Sequence, residues 1–500
     1  MKQLINWPFV RHALEVIIII EALSALVYFY PAISPIVFMV IVAGIIWLAV
    51  TKLEWAIYAL LLELLIGSKG YLLSMMIDDF RLSIRIAIWL VILAVWSIQL
   101  LWSIYRRQTR LIDLWHRLRP TGWLILLLML GWGAINALVR GNQPGNVFFD
   151  ANGWLFWLII LPILAVKNWS AARLYSIITA GLAWLTIKTG LLLYAFTHIS
   201  PIWQSIIYRW VRDSQIGEIT RMSSQFYRIF IQSQIYLLIF IIIAAWQLAR
   251  LIPRRHWLSW LLSKNGCFWL VAIGLALMPI IVGFSRSFWF SLVIMMLFLL
   301  IVIWRRYRWP VVWRWSLAML LTGFISLLSI MVIVNFPWPR PQLSFNAGNI
   351  LEERLGNLDS EAGASSRWSL LPKMVQSIGQ APLLGQGFGT TITYRSADPR
   401  ILENESSGYY TTYAFEWGWL DIILKFGLIW AIWYFSWLGR AAQQAWRIDI
   451  VGEGWTIGLL SIAAVHFFSP YLNHPLGIIW LVGLLAWLAQ RQKYESLSDC

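Results

Sequence analysis

Residues 266–304 read GCFWLVAIGLALMPIIVGFSRSFWFSLVIMMLFLLIVIW, and their only charged side chain is Arg286. A membrane-spanning helix needs about 20 predominantly apolar residues. The stretch therefore reads as two spans joined by the short turn Phe284–Ser287. Outward from it, further apolar runs begin near His12, Ile33, Leu53, Leu82, Thr121, Gly153, Leu174 and Arg228, then near Trp315, Gly418, Trp455 and Leu476. With the two at Gly266 and Phe288, and with those at Leu53, Gly153 and Leu476 short, about 12–14 spans are expected. The expected fold is an all-α integral membrane protein, a polytopic helix bundle with one large extracytoplasmic loop.

Composition agrees. Hydrophobic residues make up 60% of the 500 and charged residues 12%, against about 25% charged in soluble domains. The 35 Trp suit membrane–water interfaces, where the ring is apolar and the N–H stays wet. A net charge of +16 raises the question of nucleic acid. The basic residues fall between apolar runs rather than in one patch, which argues against that partner and for a lipid bilayer. Cys267 and Cys500 support neither a disulfide framework nor a Cys zinc site. The six His are scattered without an HExxH motif, so no metal is expected, and no cofactor either. The N-terminus has a basic start and an apolar run without a small-residue cleavage site, and reads as a retained first span.

Charge also sets topology. The connectors Tyr105–Arg119, Arg250–Lys264 and Arg305–Arg314 are strongly basic, and Arg440–Arg447 and Arg491–Lys493 mildly so. All fall on one side, which assigns that side and both termini to the cytoplasm. The outward segments are then Gly67–Arg81, Arg140–Asn152, His198–Tyr227, Phe284–Ser287, Tyr471–Pro475 and the long loop 336–417, which has eight Asp or Glu against six Lys or Arg. The chain divides into an N-terminal membrane region 1–335 of about 11 spans, this loop, and a C-terminal region 418–500 of about 3 spans.

Loops held by a rigid scaffold carry function. In this one, Ser366–Gln376 spaces Trp368, Leu371 and Val375 as an amphipathic helix. Pro382 and the run GQGFG end it, and Pro337, Pro339 and Pro341 stiffen the exit from the preceding span. Arg286 reads either as a snorkelling anchor or as a functional cation at the outer boundary. Arg367 either pairs with Glu352, Glu353 or Glu361, or offers a planar fork of donors to phosphate oxygens. Glu416 either stabilises the start of the next helix through the dipole or stands ready to accept a proton. Gly385, Gly387 and Gly389 lack the spacing and the Lys-Ser/Thr of a nucleotide loop, and read as a tight turn allowing close backbone approach. Glu15, Glu21, Glu54 and Glu63 lie in or near spans as a conceivable proton path, with all but Glu21 near enough to span ends to be solvated. Asp78–Asp79 reads as part of an interfacial ramp more than as a metal-binding acidic pair.

Three features together resemble the O-antigen ligase/polymerase superfamily of bacterial envelope glycosyltransferases. They are the turn SRSFWFSL (Ser285–Leu292), the Arg-led RWSLLPKMVQSIGQAPLLGQGFG (Arg367–Gly389) and the span opening EWGWLDIILKFGLIW (Glu416–Trp430). The resemblance covers roughly Phe284 to Trp437. It implies a polyprenyl-diphosphate-linked oligosaccharide donor bound by Arg286 and Arg367, a glycan or lipid acceptor, and transfer at the outer face of the plasma membrane. Ligases of the family place a His eleven residues before the Gly matching Gly427. Here that position is Glu416, which as a catalytic base tilts the reading toward a polymerase. Transfer of finished glycan by a ligase remains the alternative, and a transporter is the alternative of another class.

Overall fold

The computed structural model describes residues 5–78, 80–108, 121–166, 169–222, 226–253, 256–307, 309–341, 362–396, 399–404 and 407–498. Outside them lie Asp79, most of the basic segment after Tyr105, Arg254, Arg255, Arg308, Cys500, and Glu352, Glu353 and Glu361 with the expectation that they pair with Arg367.

The protein is an all-α polytopic membrane protein whose only strands, among the described residues, form three short two-stranded antiparallel sheets. In chain order come α1 (Trp7–Phe29), α2 (Ser34–Thr51), α3 (Leu53–Ile66), β1 (Ser74–Ile77), β2 (Phe80–Ser83), α4 (Ile84–Tyr105), α5 (Trp123–Val139), α6 (Pro144–Leu155) and α7 (Ile160–Ala165). Then follow α8 (Ala171–His198), α9 (Pro201–Asp213), β3 (Glu218–Arg221), β4 (Tyr227–Phe230), α10 (Ile235–Leu251), α11 (Trp257–Leu261), α12 (Lys264–Val282), α13 (Arg286–Arg306) and α14 (Trp309–Val334). The remainder is α15 (Ala362–Gln380), β5 (Ile392–Arg395), α16 (Pro399–Asn404), β6 (Tyr409–Thr412), α17 (Gly418–Ile448), α18 (Ile450–His466) and α19 (Pro475–Ser498).

Every one of the expected spans is helical, but they differ in length. Among the described residues ten helices are long and apolar enough to cross a membrane, three of them composites that include a 3₁₀ turn, Pro31–Thr51, Pro144–Ala165 and Gln232–Leu251. Trp123–Val139, Ile450–His466 and Pro475–Arg491 are apolar but shorter. With its 14 residues, α3 is shorter still, roughly 21 Å against a hydrocarbon core of about 30 Å. Side-chain caps start several helices: Asn6 accepts from Phe9 N–H, Ser170 from Arg173 N–H, Ser263 from Gly266 N–H, and Asp449 from Val451 and Gly452 N–H. Large apolar side chains such as Trp47 and Leu320, 67% and 70% exposed, face outward from these helices, as lipid contact requires.

The chain forms two compact units, Met1–Trp102 with Leu161–Ala347, and Ser103–Ile160 with Gly348–Cys500. In the first, Gly274 of α12 lies so close to α14 that an added Cβ would sit 2.7 Å from the Ile325 side chain. Small residues permit such approach between membrane helices. Two buried ion pairs tie other helices. Lys188 Nζ lies 2.5 Å from Glu21, whose carboxylate also accepts from Trp184, and Arg85 grips Glu63 at 2.7 and 3.2 Å while donating to the Ser68 carbonyl. Glu63 is thus not solvated as its place near a span end suggested; only 6% of its side chain is exposed. A buried carboxylate needs such a partner. Glu54 accepts from Tyr58, and Glu15 pairs with Arg11.

Connectors of this unit gather at one end. Ser34 hydroxyl donates to the Ser74 carbonyl, Tyr28 to the Asp213 carboxylate, Gln232 N–H to Ser68, Arg228 Nε to the Gly283 carbonyl, and His198 Nε2 to the Phe336 carbonyl.

Candidate active site

Each candidate residue is set by its local structure. In the first unit α12 and α13 meet through Gly283–Ser285, a turn so tight that Phe284 takes φ +44°. Phe284 is buried against the rings of Phe226 and Trp289, and Arg228 holds the Gly283 carbonyl at 3.0 Å. Arg286 is the first residue of α13.

The other candidates lie in the second unit. The helix expected over Ser366–Gln376 is longer, Ala362–Gln380, and it buries a different face. Trp368 and Val375 are exposed, while Leu370 and Met374 are buried with Ile392, Phe415, Trp417 and Leu424. The buried stripe begins with Ser366, whose hydroxyl is satisfied by Ser396 at 2.8 Å; a serine there hid the true face from an apolar count. That cluster anchors α15 on the start of α17, and the Trp417 indole donates to the Arg367 carbonyl at 3.0 Å. As a result the Arg367 guanidinium and the Glu416 carboxylate meet in an ion pair. Their side chains are 34% and 52% exposed, so the pair is open on one side.

Gly385, Gly387 and Gly389 take φ of +72°, +81° and +70°, conformations that glycine adopts without steric cost. The turn they build repairs a broken helix. Gly427 (φ +81°, ψ +172°) interrupts α17, so Leu428 and Ile429 lose their partners one turn back, the carbonyls of Leu424 and Lys425. Leu428 N–H donates instead to the Pro382 carbonyl at 2.8 Å, while Gln386 and Gly387 N–H reach the freed carbonyls of Leu424 and Lys425 at 2.7 and 2.9 Å. Ile429 N–H turns toward Leu383. An added Cβ at Gly385 would lie 2.5 Å from the Lys425 carbonyl, and one at Gly387 would strike the Ala137 backbone.

Side chains of α5, α6 and the segment between them clamp the turn. Asn136 donates to the carbonyls of Leu384 and Gly385, Trp132 to Leu384, and Asn142 to Gln386 and Phe388. Phe388 N–H donates to the Gly133 carbonyl and Gly389 N–H to Asp150 Oδ2 at 2.8 Å. Every backbone N–H from Gly385 to Gly389 is therefore spent on the protein, the first of them on Ala381. The turn is a structural clasp and offers no amide cradle to a phosphate.

Beneath it lies a charged group not singled out from sequence. Lys425 Nζ, 2% exposed as a side chain, stands 2.6 Å from Asp150 Oδ1 and 2.5 Å from Asp421 Oδ1. Asn473 donates to the other Asp421 oxygen at 2.8 Å. Asp421 and Lys425 stand four apart in the apolar run WLDIILKFG, and intramembrane ionisable residues at that spacing were the available signal. Asp150 is 275 positions away and gave none.

Arg367 and Glu416 are thus brought into contact in the second unit, the glycines brace the helix that follows Glu416, and Arg286 belongs to the first unit. No known protein family matches the chain, and no curated protein sequence is significantly similar to it.

Proposed function

We propose that this chain is a membrane glycosyltransferase that joins polyprenyl-diphosphate-linked saccharides at the outer face of a bacterial plasma membrane, in the manner of an O-antigen or exopolysaccharide polymerase. The observation that carries the reading is the half-open Arg367–Glu416 pair at the mouth of α17. It sets a fork suited to phosphate oxygens against a carboxylate able to take a proton.

In the proposed step an acceptor hydroxyl attacks the anomeric carbon of the donor sugar. The bond to the diphosphate oxygen breaks and its electron pair leaves with the diphosphate, whose growing charge Arg367 stabilises. The hydroxyl proton passes to Glu416. At rest each group occupies the other, so a diphosphate arriving at Arg367 displaces the carboxylate and frees it as base. Arg286 is assigned a share in holding the diphosphate on the resemblance alone, and is tested separately.

Orientation follows from charge in each unit by itself. Arg250, Arg305, Arg306 and Arg314 lie at helix ends opposite the gathered connectors of the first unit, and Arg440, Arg447 and Arg491 at ends opposite Glu416 in the second. By the positive-inside rule those ends are cytoplasmic.

The test is the glycan made by a strain carrying Arg367→Ala, Glu416→Gln or Arg286→Ala in place of the native chain. Long polymer is expected to disappear while the amount of protein in the membrane is unchanged. Native chain lengths with Arg367→Ala or Glu416→Gln would refute the site, and with Arg286→Ala would remove Arg286 from it. What a deletion strain accumulates separates polymerase from ligase: single lipid-linked repeats in the first case, complete unattached polymer in the second.

A further inference from the structure

Helix α9 and the β1–β2 hairpin, both in the first unit, carry an inference independent of any transfer reaction. The helix, PIWQSIIYRWVRD, puts Ile202, Trp203, Ile206, Ile207, Trp210 and Val211 on one side and Gln204, Ser205, Tyr208, Arg209 and Arg212 on the other. It lies across the ends of two membrane helices. The Gln204 amide donates to the Phe196 and Ile199 carbonyls at the end of α8, at 3.1 and 2.8 Å. Tyr28, one residue before the end of α1, donates to Asp213 at 2.9 Å, and the Trp210 indole reaches Ser24 of α1 at 3.3 Å.

The apolar side of α9 is therefore turned in the direction in which α1 and α8 run into the membrane. That side is longer than the bundle end it covers. Val211 is buried, whereas Ile202 and Trp203 overhang, 74% and 59% exposed. The hairpin extends the same surface. Arg81 of β2 donates to the Asp213 carbonyl at 2.8 Å, and Ser34 at the start of α2 holds the Ser74 carbonyl of β1 at the same distance. Its Met76, Ile77 and Phe80 are exposed. Phe29, Tyr30 and Ile36, at the facing ends of α1 and α2, are exposed too, and Tyr28 and Ser34 beside them hold α9 and the hairpin, so the apolar strip borders the spans.

We propose that α9 and the β1–β2 hairpin form a shelf lying in the plane of the membrane, with Ile202, Trp203 and the cross-strand pair Ile77 and Phe80 sunk into the boundary between phospholipid headgroups and acyl chains. Arg209 and Arg212, both exposed, lie on the side turned away from the spans, at headgroup level and in water. In-plane helices of this pattern seat their apolar face roughly 5–10 Å into that boundary, and Arg extends its head to the phosphates. The occupant is phospholipid because helix and hairpin are tied to the ends of α1, α2 and α8, whose own exposed apolar side chains are those of membrane spans.

The test uses the full-length chain in nanodiscs of phosphatidylcholine and phosphatidylglycerol, in a Cys267→Ser, Cys500→Ser background. A nitroxide is attached at Ile202→Cys, at Ile77→Cys or at Arg212→Cys, and its collisions with oxygen, which partitions into lipid, are compared with those of a water-soluble nickel chelate. Oxygen collisions should dominate at positions 202 and 77, and nickel collisions at 212. Nickel access at either 202 or 77 equal to that at 212 would overturn the shelf. So would an immobile label shielded from both reagents, which would mean that protein covers the strip.

Discussion

Replacing Lys425 by Met removes the cation from a buried cluster that otherwise holds the carboxylates of Asp150 and Asp421. The formal charge goes from −1, two carboxylates and one ammonium, to −2. Breaking a buried ion pair by removing one partner costs about 3–5 kcal/mol, because the remaining charge stays buried and uncompensated. For a unit of this size that corresponds to roughly 6–20 °C in Tm. The cost is one of unbalanced charge rather than lost volume, since Met nearly fills the space of Lys. Adding Asp150→Asn and Asp421→Asn to Lys425→Met should therefore recover most of it. In the Asp150→Asn side chain an amide oxygen remains to accept from the Gly389 N–H that the carboxylate now holds, so the clasp keeps its bond. The assay is thermal unfolding of detergent-solubilised protein followed by the monodisperse fraction. A Lys425→Met protein as stable as the native one, or a triple variant no better than the single, would refute the charge argument.

Gly387→Ala places a methyl group against the Ala137 backbone at a positive φ; the conformation alone costs about 1–2 kcal/mol, and a large fall in the yield of folded protein is expected. Gly379→Ala in α15 meets nothing within 4 Å and should gain about 0.5–1 kcal/mol by helix propensity, measured in the same unfolding assay. Asn142→Asp should destabilise more than Asn142→Ala, because a carboxylate would then face the Gln386 and Phe388 carbonyls to which the amide now donates; equal melting temperatures would contradict the assigned amide orientation. Glu416→Gln should change stability by less than about 1 kcal/mol, as for other exposed pairs. Glycan transfer by purified protein should nonetheless fall about 10²–10⁴-fold if Glu416 is the base.

The membrane fold was legible because spans demand long apolar runs, and every run counted in the sequence is a helix. Length was harder to read: Trp123–Val139 and Ile450–His466 fall short of a full crossing although their neighbourhoods are as apolar as the rest. Within the loop, the helix was visible but its buried face was not. Two stripes compete on α15, and the one that is buried, Leu370 and Met374, starts at a serine that needs Ser396 to satisfy it. The β5–β6 pairing joins Ile392 to Thr412 across an interval that includes the helix α16, in strands of four residues with no periodicity to read. Arg367, Glu416 and the glycines could be named as candidates, yet Arg367 meets Glu416 only through the packing of Leu370 and Met374 on Phe415, Trp417 and Leu424, and the glycine turn depends on residues more than 200 positions earlier, such as Asn136, Asn142 and Asp150, which no local pattern encodes.

The break at Gly427 bears on how the chain is made. A segment entering lipid must have its backbone groups satisfied internally, so α17 emerging alone has reason to run straight through Gly427 as an uninterrupted helix. The segments that complete the break, Gly133–Asp150 and Pro382–Gly389, both precede α17 in the chain. By the time α17 is synthesised, its replacement hydrogen-bond partners already exist. An order of synthesis that delivered α17 first would leave the carbonyls of Leu424 and Lys425 to the helix itself. A circular permutant beginning at Trp417 would thus have to open an intact helix before the clasp can close, and should insert well but mature slowly.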